Sequence, residues 1–168
     1  TLTCEKENVT GEIFRPQDFM SIPNDVSAKS TGAAATAGAA ATTIAANGES
    51  LTITVGTDTL NIAFTNTGGT SAGTIDLTDT STDTVAEVLA EIQSQLQGLA
   101  GTDANAATVG LVGGNITIDA GNTTNDLTVT SDSTLLGLTN GTTQPSIALA
   151  TQMAARVSTV SADDNTAF

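Results

Sequence analysis

Carboxylates are the side chains of this sequence that are best suited to chemistry, and two groups of them lie close together along the chain. Asp76, Asp79 and Asp83 form the first group, and Asp163 and Asp164 form the second. A calcium ion requires about six or more oxygen ligands at about 2.3–2.6 Å. Neither group has the alternating D-x-[DN]-x-[DN]-G spacing of an EF-hand loop. We therefore interpret both groups as solvated turn and cap carboxylates and assign no metal ligand.

Catalysis has few candidate residues. The chain of 168 residues contains no His, so that a Ser-His or Cys-His pair cannot form. Lys6 and Lys29 leave a Ser-Lys dyad open, but no motif supports one. Glu87 and Glu91 lie one helical turn apart, on a side where both carboxylates would stay solvated. We therefore expect no catalytic residue, no cofactor-binding residue and no enzymatic activity.

Cysteine and glycosylation motifs carry little functional information. Cys4 is the single cysteine, so no intrachain disulfide can form, and we interpret it as a bystander thiol. Four tripeptides match the N-glycosylation sequon, as expected by chance in a chain rich in Thr and Asn. They begin at Asn8, Asn115, Asn122 and Asn140. In a bacterial protein, we would instead expect surface glycans that are O-linked to exposed Ser or Thr.

The charge of the chain limits its partners. Eighteen acidic residues oppose four basic ones, which gives a net charge of −14, and no basic residue lies between Lys29 and Arg156. Such a surface repels phosphate backbones and anionic headgroups, so we expect no nucleic-acid binding. No apolar run has the length of a membrane span, so we expect no membrane insertion. The chain begins at Thr without a signal-peptide pattern, and we expect a fragment or a mature product of a longer protein.

Six short segments alternate apolar residues with Thr, Asn or Asp, a pattern that predicts strands with one buried face. A turn at Gly56-Thr57-Asp58 joins the first two segments, and Gly113-Gly114 joins the fourth and fifth in a tight hairpin. The segments are LTITV (51–55), LNIAF (60–64), TIDL (74–77), TVGLV (108–112), NITID (115–119) and DLTVT (126–130).

One segment has a helical period. Its apolar residues are spaced by 3, 1, 3, 4 and 3 positions: Val85, Val88, Leu89, Ile92, Leu96 and Leu99. Thr84 and Glu87 form a capping box at its start, and Gly98 or Gly101 ends it. A sheet with one apolar face needs a cover. The predicted fold is therefore α+β, with a small antiparallel or mixed sheet covered on one face by a single amphipathic helix.

The chain divides into three parts on this pattern. Residues 1–48 begin with an extended or loop segment that has short extended pieces near Val9 and Ile13. They end with an Ala/Thr/Gly connector, which is either helical over 33–41 or loosely packed. Residues 49–139 form the α+β domain. Residues 140–168 form a C-terminal connecting segment that turns at Asn140-Gly141 and has Ser146 as the N-cap of a short helix. That helix has Ile147, Ala150, Met153, Ala154 and Val157 at helical spacing.

The order of these elements resembles the flagellin hook IN motif of bacterial flagellins and hook-associated proteins. Two departures from the family pattern are visible: Gln93 follows Ile92 where the family usually has an Ile-Asn pair, and the loop at 65–74 is long. The matching stretches are TITVGTDTLNIAF (52–64), DTVAEVLAEIQSQL (83–96), VGLVGGNITIDA (109–120) and SDSTLLGLT (131–139).

The resemblance implies the surface-exposed, variable central region of a flagellin. Such a region is a structural component of an extracellular flagellar filament, serves motility, and has other copies of the same chain as its partners. The polymerising helices would lie outside these residues. The segments that flank the domain would form a stalk, which requires its two ends to lie close together.

Two other functions stay open at this point. One is an IN-motif module of a hook-associated or filament-cap protein. The other is a carbohydrate-binding module, adhesin-like or phage-tail-like, although the chain lacks the Trp and Tyr that sugar sites use. The strand edges also leave two interpretations, since no lysine protects them. They accept a strand from a neighbouring subunit, or they are short and covered.

Overall fold

The computed structural model describes residues 25–146. The extended pieces predicted near Val9 and Ile13, and the helix predicted from residue 147, lie outside these residues. Val26–Ser146 forms one compact unit. Part of the Ala/Thr/Gly connector and the start of the C-terminal segment lie within that unit.

The fold of the described residues is α+β, as predicted from the sequence. All six predicted strands are present, and two further short strands lie near the ends of the compact unit. The strands are β1 (Lys29–Ala34), β2 (Ser50–Val55), β3 (Asp58–Thr65), β4 (Thr74–Asp76), β5 (Thr108–Val112), β6 (Asn115–Asp119), β7 (Leu127–Ser131) and β8 (Gly141–Thr143). The helices are a 3-10 turn (Ala41–Thr43) and the α-helix α1 (Val85–Gln97).

The strands form two sheets, where we predicted one. The five-stranded sheet has the order β4-β3-β2-β7-β8, and the three-stranded sheet has the order β1-β6-β5. All strand pairs are antiparallel except β3 with β4. The second sheet arises because the β5–β6 hairpin pairs with β1, in which Lys29 lies opposite Asp119. Strand β1 lacks the apolar alternation that marks the other strands.

Helix α1 confirms the sequence prediction at both ends. Thr84 is the N-cap, and its hydroxyl accepts the Glu87 N–H (3.4 Å) while the Glu87 carboxylate accepts the Thr84 N–H (3.1 Å). Gly98 is the C-cap. The helix packs mainly against β5 and also contacts β3, so that it touches both sheets. Its buried face consists of Val85, Val88, Leu89, Ile92 and Leu96.

A single hydrophobic core joins the two sheets and the helix. Phe64 of β3, Ile92 of α1 and Ile116 of β6 are each at most 1% exposed. Residues of the predicted connector belong to this core, because Ala41, Ile44 and Ala45 are buried. The connector is therefore packed.

The helix considered for residues 33–41 is not formed. The Ala33 N–H donates to the Leu136 carbonyl and the Ala35 N–H to the Gly114 carbonyl, both at 2.8 Å. These long-range bonds hold the segment extended, because a helix would direct the same amide groups to carbonyls four residues earlier. Tertiary pairing thus outweighs the local helix propensity of alanine.

Threonine hydroxyls pair across the exposed face of the five-stranded sheet. Thr54 lies opposite Thr59 on one side and Thr128 on the other, and Thr128 lies opposite Thr142. These four residues form a threonine row across four strands. The hydroxyl oxygens of Thr54 and Thr59 are 3.0 Å apart, and those of Thr128 and Thr142 are 2.7 Å apart. Such cross-strand pairs stabilise a sheet from its polar side.

Candidate functional site

Asp76 and Asp79 bind the backbone of the long loop that precedes them. The Asp76 carboxylate accepts the Thr78 N–H (2.9 Å) and the Gly69 N–H (3.0 Å). Together with a hydrogen bond from the Thr78 hydroxyl (2.8 Å), these bonds hold the pKa of Asp76 below its ordinary value, and the Thr78 bonds contribute most to the shift. Asp79 accepts the Ser81 N–H (3.0 Å) and hydroxyl, which contribute most to lowering its pKa, and it accepts the Thr70 N–H of the loop at 3.3 Å. Both carboxylates therefore serve as loop anchors. The expectation of a solvated carboxylate was wrong for Asp76, which is only 5% exposed because it binds the backbone of the loop.

Asp83 belongs to the start of α1. A hydrogen bond with the Glu87 carboxyl group raises the pKa of Asp83, and burial and charge repulsion add to the rise. The Thr84 hydroxyl and N–H lower the pKa of Glu87, so Glu87 is the more acidic member of the pair. The acidic group singled out in the sequence thus separates into loop anchors and a helix cap. Within residues 25–146, no three His, Cys, Asp or Glu side chains are grouped to hold a metal ion.

The other charged candidates have structural partners. Glu91 accepts a hydrogen bond from the Gln95 amide at 2.8 Å, whereas Glu87 is engaged at the cap. The Lys29 ammonium forms an ion pair with Asp119 at 3.0 Å, across the β1–β6 register. The geometry therefore gives Lys29 a role in strand pairing. The remaining candidates lie outside the described residues: Cys4, Lys6, Asn8, Asp163 and Asp164.

Two of the sequon asparagines use their side-chain amides within the fold. The Asn122 amide nitrogen donates to the Asp103 carbonyl at 3.2 Å. The Asn140 side chain binds both backbone groups of Ser131, accepting its N–H (2.7 Å) and donating to its carbonyl (3.1 Å). A glycan on either nitrogen would compete with these bonds. Asn115 is the first residue of β6 and is partly exposed.

An apolar groove lies beside strand β5, with a volume of about 330 Å³. Its walls come from α1, from β5 and from the turn after β1, and no charged side chain lines it. The lining residues are Ala37, Ala86, Leu89, Ala90, Gln93, Val109, Gly110 and Leu111. The groove follows an edge of the three-stranded sheet, because β5 is the outer strand there.

Two glutamines of α1 hold this edge. The Gln93 amide oxygen accepts the Val109 N–H at 2.9 Å, and the Gln97 amide nitrogen donates to the Ala107 carbonyl at 2.6 Å. From the sequence we noted Gln93 only as a departure from the family's Ile-Asn pair. The spacing of four residues between the two glutamines, on the border of the apolar stripe, is the signal that would have found them.

The two ends of the compact unit lie side by side. Val26 and Ser146 form an isolated antiparallel bridge, in which each N–H donates to the other residue's carbonyl, at 2.8 and 2.9 Å. The proximity of the domain ends that the sequence resemblance requires is therefore present at these two residues. The chain enters and leaves the unit at one place.

Comparison with protein-family models, with curated proteins and with solved structures found no match for this chain. Among residues 25–146, no helix combines the length and the apolar character that crossing a bilayer requires. We therefore infer function from the geometry of the compact unit together with the sequence resemblance.

Proposed function

We propose that this chain is the surface-exposed, variable central region of a bacterial flagellin. In this role it is a structural component of the extracellular flagellar filament and serves motility. The observation that carries the proposal is the bridge between Val26 and Ser146. A domain inserted into a longer chain must return to the point where it left, and adjacent ends allow this without strain on the host.

The helix and hairpin of the unit add further support. The resemblance requires a strand pair, a capped helix and a tight glycine hairpin in that order, and the described residues contain all three. Thr84 caps the helix through a complete capping box. Gly113 and Gly114 have φ values of +59° and +84°, which suit the type I′ turn of a two-residue hairpin.

Deletion of the compact unit from the full-length protein tests the proposal. Replacing residues 27–145 by a short Gly-Ser linker should leave filaments that still assemble, because the adjacent ends let the linker close the gap. Electron microscopy of the filaments should show a smaller outer diameter. As a matched control, the same linker in place of residues 84–97 should disturb the outer density and leave the filament shaft unchanged.

The flanking sequence decides between the proposal and its alternatives. A flagellin requires long amphipathic helices rich in Ala, Leu, Gln and Asn on both sides of these residues. A signal peptide, or a helical anchor on one side alone, would overturn the proposal. A glycan-array screen tests the carbohydrate-binding alternative, and micromolar binding to one sugar would favour it over a purely structural role.

A further inference from the structure

Strand β5 presents backbone groups that the fold leaves unpaired. Val112 and Asn115 flank the two-residue hairpin loop and form a hydrogen-bonded pair. Since antiparallel pairs alternate, the N–H and C=O groups of Leu111 point away from β6. The equivalent N–H of Val109 is bound by Gln93. No partner from residues 25–146 meets the Leu111 groups.

The surroundings of this edge are uncharged. Residues 104–118 contain no charged side chain, whereas the compact unit as a whole has eleven acidic residues and one lysine. Edge strands are usually protected by charged side chains, lysine above all. Two copies of so acidic a unit repel each other over most of their surface. The β5 edge is a place where two copies can approach without that repulsion.

The side chains at this edge differ in size from one position to the next. Val112 is 66% exposed, although it is a large apolar residue. Two positions earlier, Gly110 leaves open space, because a Cβ built there would have no atom within 4 Å. Leu111 lies on the wall of the apolar groove. Within three residues, the edge thus has a projecting apolar side chain at Val112, open space at Gly110 and a groove wall at Leu111.

We propose that β5 pairs with β5 of a second copy of this chain, in antiparallel orientation and centred on Leu111. In this register, each Leu111 N–H donates to the Leu111 carbonyl of the other copy. Each Val112 then lies opposite Gly110 of the other copy, and the two sheets join into one of six strands. This inference rests on the proposed function, because it names the contact between neighbouring outer domains of a filament.

The contact is small and therefore weak. It consists of two backbone hydrogen bonds and two valine side chains, far less than the interface of a stable dimer. Subunits that are already held side by side raise the effective concentration of such edges, so that a weak contact becomes populated. Strand addition at an exposed edge is a common mode of recognition that uses backbone hydrogen bonds for affinity.

Sedimentation of the 168-residue chain tests the contact. We expect a reversible dimer whose fraction rises with protein concentration up to about 1 mM, because a contact of this size should have a weak dissociation constant. Val112→Lys should weaken dimerisation at least tenfold and leave the circular dichroism spectrum unchanged, because Val112 is exposed. Leu135→Lys is the matched control, since Leu135 is 42% exposed and lies near β1, away from the β5 edge. A chain that stays monomeric throughout, or equal weakening by both variants, would overturn the proposal.

Disulfide trapping tests the register. In a Cys4→Ser background, the double variant Gly110→Cys/Val112→Cys should form covalent dimers on oxidation, because the two positions face each other across the contact. Val112→Cys alone should form several-fold fewer. Equal yields from the single and double variants would overturn the register. Both experiments use the isolated chain, so a failure here is distinct from a failure of the proposed function, which the flanking sequence decides.

Discussion

The five-stranded and three-stranded sheets bury apolar side chains in one core, yet the polar groups outside that core form hydrogen bonds in different ways. The five-stranded sheet has the threonine row, whose hydroxyl groups pair from strand to strand. The three-stranded sheet has its β5 edge held by Gln93 and Gln97 of α1. The alternating pattern therefore decides which face is buried, and side-chain hydrogen bonds decide how the remaining groups are satisfied.

Helix α1 serves both sheets at once. Its apolar stripe is buried in the common core, and its glutamines bind the backbone next to the stripe. The three-stranded sheet therefore depends on the helix for its core and its edge. The five-stranded sheet depends on it for its core and for the loop before β4, where the Gln95 amide accepts the Gly73 N–H (2.8 Å) and donates to the Ser71 carbonyl (3.0 Å). Substitutions in the helix should therefore affect both sheets, whereas substitutions in the threonine row should affect the five-stranded sheet.

Ile92→Asp should unfold both sheets together. Ile92 is 1% exposed, and a carboxylate at this position would be buried without a partner. We expect a loss of at least about 4 kcal/mol in the free energy of unfolding, measured by urea denaturation followed by circular dichroism. Ser94→Asp is the control, because it places the same charge on the exposed side of α1 and should change stability by less than about 0.5 kcal/mol. Cooperative unfolding of the Ile92 variant at the original midpoint would contradict a helix that covers the core.

Gly121→Ala should damage the junction between the sheets. Gly121 follows β6 with φ at +72°, and an added Cβ would overlap the backbone of Ala106. The left-handed conformation costs alanine about 1–2 kcal/mol, and the overlap adds about 1–3 kcal/mol. Gly48→Ala separates the two costs, because Gly48 has φ at +89° but open space around it. Equal losses from both variants in the same denaturation assay would show that the Ala106 contact has no energetic role.

Thr84→Ala should weaken both sheets by the same modest amount. The substitution removes the N-cap hydroxyl of α1, which typically costs about 1 kcal/mol. Because the helix contributes to one shared core, a single unfolding transition should shift to lower temperature without splitting. Thr80→Ala, in the exposed turn before the helix, should leave the transition in place. Two resolved transitions in the Thr84 variant would mean that the sheets unfold independently.

Thr128→Ala should affect the five-stranded sheet alone, and only slightly. It removes the hydroxyl pair with Thr142 that ties β8 to β7, worth about 0.2–1 kcal/mol. Thr130 lies on the same face of β7, and within residues 25–146 its hydroxyl forms no such pair. Thr130→Ala is therefore the matched control. Faster amide hydrogen exchange in β8 should appear for the first variant and be absent from the second.

The sequence predicted the elements of this fold better than their arrangement. Period and capping residues predicted α1 and six strands, because these signals are local. Strand β8 was missed because Gly141–Thr143 has no buried face to produce an apolar alternation. The pairing of β2 with β7 joins Ile53 to Val129 across a long stretch of chain. Such pairing depends on how the whole core packs, so local patterns predict the strands without dividing them between two sheets.

The candidate site could be predicted only in part. The capping pair Thr84 and Glu87 followed from its spacing. The roles of Asp76 and Asp79 as loop anchors did not follow, because their partners Gly69 and Thr70 are backbone groups that carry no sequence signal. The unpaired backbone groups of Leu111 could not be predicted, because the sequence does not show which strand lies at the edge of its sheet.

Native-state hydrogen exchange of the unmodified chain tests whether α1 joins the two sheets into one cooperative core. We predict that the slowest amides of β2, of β6 and of α1 exchange by the same global opening, with free energies that agree within about 1 kcal/mol. Protection of β2 that persists while β6 and α1 exchange through a much smaller opening would contradict a shared core.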